Sequence, residues 1–484
     1  MNKIMNGFLS LKNNIQYFMK ANFSLINVAV LLLLAAISGC KTLEPKSTKK
    51  YNVLFIAVDD LNNDISIYGN KLVKTPNLDR LAAMGVKFDK AYCQFPLCNP
   101  SRASVLTGLS PDRTKIFNLE THFRKNIPNV VTLPQLFKNN GYTTNRVGKI
   151  YHMGYAPEKA GTNWLDDSVS WHKVINPIGR EVQDDDLLTN LSTERDFNYL
   201  AADGTDEEQR DGIIATEGIK MLEQSKDKPF FLALGFYRPH IPYIAPKKYF
   251  DMYPLENIQL PKEPANDLAD IPKDALWTNP PHWGVKELDL RKLKQAYYAS
   301  VTFMDAQLGR VLDALERLKL EENTIIVFWS DHGYNLGEHG QWMKQTLFEK
   351  SAKAPLIIAV PGYKKGQNSE RTVELLDIYP TLADLCNYQP SQKLEGKSLK
   401  PLLENPKAVW NRPAYTQVSG GKNRDGRSVR TERYRYTEWS KGKAGKELYD
   451  HDKDPGEITN LADKKGYETI QQYLAKLLHK QHSN

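Results

Sequence analysis

The run Tyr51-Asn52-Val53-Leu54-Phe55-Ile56-Ala57-Val58-Asp59-Asp60 decides the fold. Its near-continuous apolar stretch, rich in β-branched residues, predicts a strand buried on both faces of a parallel sheet, and such a sheet needs helices on either side. The two carboxylates fall at the strand's carboxyl end, the edge at which open α/β sheets bind ligands. Alone, an Asp-Asp pair after a strand is more often a turn or a cap. Here a second apolar run, Thr324 to Ser330, ends in Asp331-His332-Gly333. Acidic groups at two strand exits make ligation of a cation the better reading.

Other segments fit the same architecture. Pro229 to Phe236 and Pro355 to Val360 are further predicted strands. Leu293, Tyr297, Val301, Met304, Leu308, Val311 and Leu315 recur at three- and four-residue intervals and predict a long amphipathic helix. Arg80 to Met84, stopped by Gly85, predicts a short helix. Arg102 to Leu106 reads as a helix start after Cys98-Asn99-Pro100, bringing backbone N–H groups and positive dipole toward the cysteine. The stretches Gly154 to Gln209 and Leu255 to Pro281 lack long apolar periodicity and are expected to be loops that shape a cleft. After about Lys400 the pattern changes: Ala414 to Val418, Tyr434 to Trp439 and Glu447 to Asp450 predict a small antiparallel sheet, closed by a helix near Ile470 to Leu478.

The 484 residues suffice for a large core, and two fifths of them are apolar and a quarter charged, which excludes disorder, collagen and a membrane bundle. Residues 1–50 hold seven lysines and one glutamate, which is +6 of the chain's +8. The remainder is nearly neutral, so no nucleic-acid partner is expected. Within that segment Lys3, Lys12 and Lys20 precede an apolar stretch from Val28 to Ile37 that is short for a membrane span. It ends in Ile37-Ser38-Gly39-Cys40, which resembles a bacterial lipobox. Residues 1–39 are therefore expected to be a lipoprotein signal peptide and 40–50 a tether lipidated at Cys40, giving an exported protein anchored to a membrane. Apart from Cys40 and Cys98, only Cys93 and Cys386 remain, and they could pair or stay free.

Cys98-Asn99-Pro100-Ser101-Arg102 matches the signature that marks a cysteine for oxidation to formylglycine. Together with Asp59-Asp60-Leu61, Gly148-Lys149-Ile150-Tyr151-His152, Pro239-His240-Ile241-Pro242, Ser330-Asp331-His332-Gly333 and Leu336-Gly337-Glu338-His339-Gly340, it makes residues 51–460 resemble a type I, formylglycine-dependent sulfatase, most closely the iduronate-2-sulfatase branch. The resemblance implies an alkaline-phosphatase-like α/β sandwich: a large mixed, mainly parallel sheet between helices in a catalytic domain over 51–400, with a small C-terminal α+β subdomain over 401–484. It implies one calcium ion held by Asp59, Asp60, Asp331 and His332 with the modified Cys98. It further implies that Arg102, Lys149 and Lys344 contact the sulfate or the hydrated aldehyde, that His152 takes a proton during sulfate expulsion, and that His240 and Lys344 protonate the leaving alcohol.

The chemistry of the residues agrees. Breaking an anionic ester needs positive charge around its oxygens and a strong nucleophile, and a divalent cation serves both. The implied substrate is a sulfated poly- or oligosaccharide, glycosaminoglycan or algal such as ulvan, with the ester at a sugar 2-position; a formylglycine-generating maturase is an implied partner. Arg238, Tyr334 and Trp342, neighbours of the matched motifs, are candidate sugar contacts, while His122, His282 and His339 have no assigned role. Two other readings stand: hydrolysis of phosphate or phosphonate esters on the same fold, and an inactive carbohydrate-binding surface lipoprotein.

Overall fold

The computed structural model describes residue 19 and residues 50–154, 161–191, 197–420 and 424–481. Apart from residue 19, the expected signal peptide and the lipidation site Cys40 lie outside the described residues. The unit Lys50–Asn484 carries the fold and the site.

An eight-stranded sheet forms the centre, in the order Gln367–Glu374, Val86–Tyr92, Leu356–Ala359, Thr324–Ser330, Asn52–Val58, Phe230–Phe236, Thr143–Gly148, Lys173–Ile175. Leu356–Ala359 runs antiparallel to both of its neighbours, and every other pairing in the sheet is parallel. The mixed, mainly parallel sheet read from the sequence is therefore present. Asn52–Val58 lies between Thr324–Ser330 and Phe230–Phe236, with Val58 opposite both Ser330 and Phe236. That register brings the two carboxylate-bearing exits side by side.

Strand alternation sends Leu54, Ile56 and Val58 into one core and Val53, Phe55 and Ala57 into another. The first core receives the 31-residue helix Glu287–Arg317, in which all seven residues of the periodic stripe are buried. The second receives the helices Cys98–Thr107, Leu133–Asn139 and Ile378–Leu385. Burying each large aliphatic side chain contributes about 1.5–3 kcal/mol, so a strand with both faces covered is firmly fixed. The site stands on its end.

The C-terminal segment folds as a four-stranded antiparallel sheet, Ala414–Gly420, Arg424–Arg430, Tyr434–Trp439 and Lys446–Asp450, covered by the helix Glu468–Gln481. Two expectations need correction. Gly154 to Gln209 was expected to be loops alone, yet it supplies the edge strand Lys173–Ile175 and two strands, Thr189–Asn190 and Asn198–Ala202, of a separate small sheet. The helix expected from Arg102 instead begins at Cys98 itself.

Candidate active site

Five strand exits converge at one edge of the large sheet. Val58 leads into Asp59 and Asp60, Ser330 into Asp331 and His332, Gly148 into Lys149 and His152, Phe236 into His240, and Tyr92 into the turn that ends at Cys98. Close approach at this edge depends on Gly235: a Cβ there would lie 2.1 Å from the Lys149 carbonyl oxygen. The Lys149 N–H donates to the Gly235 carbonyl at 2.9 Å, which fixes where its side chain starts.

Cys98 is the first residue of the buried ten-residue helix Cys98–Thr107, with Leu97 extended before it and Gly108 left-handed after it. Its Sγ lies 3.2 Å from Lys344 Nζ, 3.5 Å from His332 Nε2 and 3.9 Å from Asp60 Oδ1. Ligand atoms of Asp59, Asp60, Cys98 and His240 fall within 4.8 Å of one another, as do those of Cys98, Asp331 and His332. Asp60 adopts φ 62°, a strained conformation for a residue with a side chain. It is held from both sides: its N–H donates to Asp331 Oδ1 at 3.2 Å, and its carbonyl accepts from the Tyr297 hydroxyl at 2.8 Å. The same hydroxyl accepts the Asn62 N–H at 2.9 Å.

Arg102 is fully enclosed. Its Nε donates to Asp331 Oδ2 at 2.8 Å, Nη2 to Asp59 Oδ1 at 3.0 Å, and Nη1 to the carbonyls of Lys149 and Ile150 at 2.6 and 3.0 Å. Lys149 Nζ pairs with Asp59 Oδ2 and Lys344 Nζ with Asp60 Oδ1. Burial and the nearby Cys98 sulfur push the Asp59 carboxyl up, but Lys149, His240 and Arg102 together outweigh them and hold it below the usual range. Asp331 goes the other way: burial pushes it up to about 7 against the opposing charges of Arg102 and His332. Burial would raise the Cys98 thiol, yet Lys149 and Lys344 bring it well below its ordinary value. His152 is pushed down to about 4, chiefly by burial, and so is neutral near pH 7.

Asp60 Oδ2 is buried without a hydrogen-bond partner. An orphaned carboxylate oxygen is costly. Among two further carboxylates and an imidazole, it is what a cation would repay. The donor set, three carboxylates and one nitrogen, fits a hard divalent ion with some tolerance for nitrogen.

The family described as Sulfatase matches residues 51–388, and that described as N-sulphoglucosamine sulphohydrolase, C-terminal, matches residues 337–484. The chain belongs to the sulfatase family. It is 38% identical over 473 residues to a sulfatase of Formosa agariphila, covering 93% of this chain and 91% of that one. It is 34% identical over 483 residues to iduronate 2-sulfatase of Homo sapiens, covering 83% and 87%. A solved structure of a protein with its substrate D-glucosamine-2-N,6-O-disulfate superposes with TM-score 0.72 at 24% identity, covering 90% of this chain and 98% of that one. This sulfatase is accordingly a sulfuric ester hydrolase with the fold its sequence announces.

Within the sulfatase, Asp59, Asp60, Cys98, Arg102, Lys149, His152, His240, Asp331, His332 and Lys344 all surround one point. Their exposure divides them. The side chains of Asp59, Arg102, Asp331 and His332 are 0% exposed, whereas His240 keeps 18% and Lys344 12%. His240 and Lys344 thus stand on the open side, where a leaving group would emerge. Arg102 faces carboxylates and carbonyls, so it braces the acidic groups from behind.

The three candidate sugar contacts are overturned, because each side chain is enclosed and used elsewhere. Arg238 Nη1 donates to the carbonyls of His240 and Pro242 at 2.8 and 2.7 Å; the Tyr334 hydroxyl bonds that of Tyr243; Trp342 Nε1 donates to His282 Nδ1 at 3.0 Å. Cys93 and Cys386 are free thiols. In the sequence Tyr297 is one more core residue of its helix stripe, with nothing to announce its hydroxyl at the Asp60 turn. Only its polar end distinguished it from its apolar neighbours.

Proposed function

We propose that this sulfatase removes sulfate from the 2-position of a uronic acid or similar ring in a sulfated polysaccharide or its oligosaccharides, glycosaminoglycan or algal such as ulvan. Cys98 would serve after a maturase oxidises it to formylglycine, and calcium would be the resident ion. The carrying observation is the Cys98 side chain at a helix start, flanked by carboxylates from two strand exits and by Lys344. Similarity to iduronate 2-sulfatase supports the ring and position. The carboxyl-terminal match to a family named for a sulfated glucosamine supports a sugar substrate. Export as a lipoprotein anchored through Cys40 suits a polymer met outside the cytoplasm.

The residues divide the work. Asp59, Asp60, Asp331 and His332 would hold the ion, which when bound neutralises sulfate oxygens and lowers the pKa of a hydroxyl beside it. The hydrated formylglycine supplies that hydroxyl, and a second one for sulfate release. Lys149 and Lys344, paired here with Asp59 and Asp60, would turn toward sulfate oxygens where those carboxylates held the ion. His240 and Lys344, on the open side, carry the proton to the departing alcohol. His152, neutral because it is buried, accepts the proton that accompanies sulfate expulsion.

The test is sulfate release from a panel of defined glycosaminoglycan and algal oligosaccharides, with and without added calcium, beside matched phosphate esters. Calcium-dependent release from a 2-O-sulfated uronate is expected. Preference for the phosphate esters would overturn the reading.

A further inference from the structure

The hairpin between the strands Ala414–Gly420 and Arg424–Arg430 returns at Arg424, which pairs with Gly420. The Arg424 guanidinium lies over two indole rings, 5.4 Å from that of Trp277 and 5.1 Å from that of Trp439. Nε donates to the Asp274 carbonyl at 2.8 Å and Nη2 to the Gln345 carbonyl at 2.7 Å. Among the described residues no carboxylate reaches it. The enclosed arginines of the same molecule differ: Arg102, Arg146 and Arg435 each hold a carboxylate, at 2.8, 2.6 and 2.6 Å. Burial pushes Arg424 down to about 10, with Asp274 and Glu447 offsetting this only in part, so it keeps its charge at neutral pH. A largely enclosed cation without a counter-ion is costly, and two neutral carbonyls do not require one.

The position gives the cation a use. Gln345 follows Lys344, whose Nζ lies 3.2 Å from Cys98 Sγ, and the Gln345 N–H donates to the carbonyl of Pro96, two residues before Cys98. Arg424 is therefore one residue removed from the catalytic loop. Its third nitrogen, Nη1, makes no hydrogen bond among the described residues, and the residue itself is only partly buried. Beside it Trp277 is 36% exposed. An indole face next to a free guanidinium arm suits a sugar ring carrying an anion.

We propose that Arg424, with Trp277 beside it, forms a subsite for a second anionic group of the substrate, a carboxylate or a further sulfate near the scissile ester. The proposal rests on the sulfated-saccharide reading of the active site. Nη1 donates to the anion, and the indole takes the apolar face of the ring.

The test compares wild type, Arg424→Met and Arg424→Lys on four probes: a 2-O-sulfated uronate disaccharide, its carboxyl methyl ester, the ester with an added sulfate on the neighbouring sugar, and 4-nitrophenyl sulfate. Arg424→Met keeps the stem between the indoles, and Arg424→Lys keeps the charge without the fork. The expected result for Arg424→Met is a loss of kcat/KM of about tenfold to a hundredfold on a probe with a second anion, with little change on 4-nitrophenyl sulfate. Arg424→Lys should fall between the two, and it serves alone if the methionine variant does not fold. Loss confined to the free carboxylate identifies that group as the ligand; loss confined to the added sulfate identifies the sulfate. Equal loss on all four probes overturns the subsite and leaves Arg424 a structural clamp. If wild type cleaves 4-nitrophenyl sulfate but none of the saccharides, the sugar reading itself fails and the subsite falls with it.

Discussion

Replacing Arg102 by methionine removes four hydrogen bonds and the charge that faces two enclosed carboxylates. Asp59 keeps Lys149 as a partner, so the loss falls chiefly on Asp331. The nearest remaining cationic group there is His332, 3.6 Å from Asp331 Oδ1. Breaking one side of a buried ion pair costs about 3–5 kcal/mol, several times the worth of an exposed pair. Asp331 is already pushed up to about 7 with Arg102 present, and without it the carboxyl rises further and stays protonated at neutral pH. A carboxyl raised above its unfolded value loses stability as pH rises through the gap between the two. The variant's deficit should therefore widen as pH rises through and above about 7, where the wild-type group ionises and the variant's carboxyl still holds its proton. Urea unfolding of the chelator-treated protein, followed by tryptophan fluorescence at several pH values, measures this. A loss below about 1 kcal/mol, as for an exposed pair, would refute the bracing role.

The same geometry sets further outcomes. Tyr297→Phe should cost about 1–3 kcal/mol, because it strands the Asp60 carbonyl and the Asn62 N–H in the interior, and it should lower turnover by loosening the Asp60 turn; denaturant unfolding and sulfate release check both. Asp60→Asn should weaken calcium binding by about tenfold or more while the fold persists, read by titration calorimetry. His339 is pushed up to about 9: burial opposes this, but its hydrogen bond to Asp267 and the charges of Asp267 and Glu263 prevail. Its raised value adds stability that is complete below about pH 6.5 and fades as pH climbs through about 9, so His339→Gln should destabilise at pH 6 and much less at pH 10. A pH-independent difference would count against the His339–Asp267 pair.

Strands buried on both faces were plain in the sequence, because Asn52–Val58, Phe230–Phe236 and Thr324–Ser330 carry apolar residues at nearly every position. Val86–Tyr92 was harder. It interleaves the partly exposed Lys87, Asp89 and Lys90 with the buried Val86, Phe88 and Ala91, which breaks the apolar run. Arg424–Arg430 was harder still: its polar residues alternate with Gly426, which leaves room for the Trp439 ring and gives no apolar signal of its own. Site residues that follow strand ends could be found from their order along the chain. Which charged groups face solvent could not, because that depends on packing between distant segments. Arg102 and Arg238 look alike in the sequence to any exposed arginine near a motif, yet both are sealed. Arg424, silent in sequence, is only partly buried and pairs with two carbonyls rather than a carboxylate.

The proposed mechanism makes the Cys98 side chain, among Asp59, Asp60, Asp331, His332 and two lysines, the precursor of the group that attacks sulfur. Mass spectrometry of the peptide spanning Cys98, taken from protein shown to release sulfate, tests it most directly. An aldehyde at residue 98 is expected, in a fraction that tracks specific activity across preparations. A fully active preparation with an intact thiol at Cys98 would contradict it.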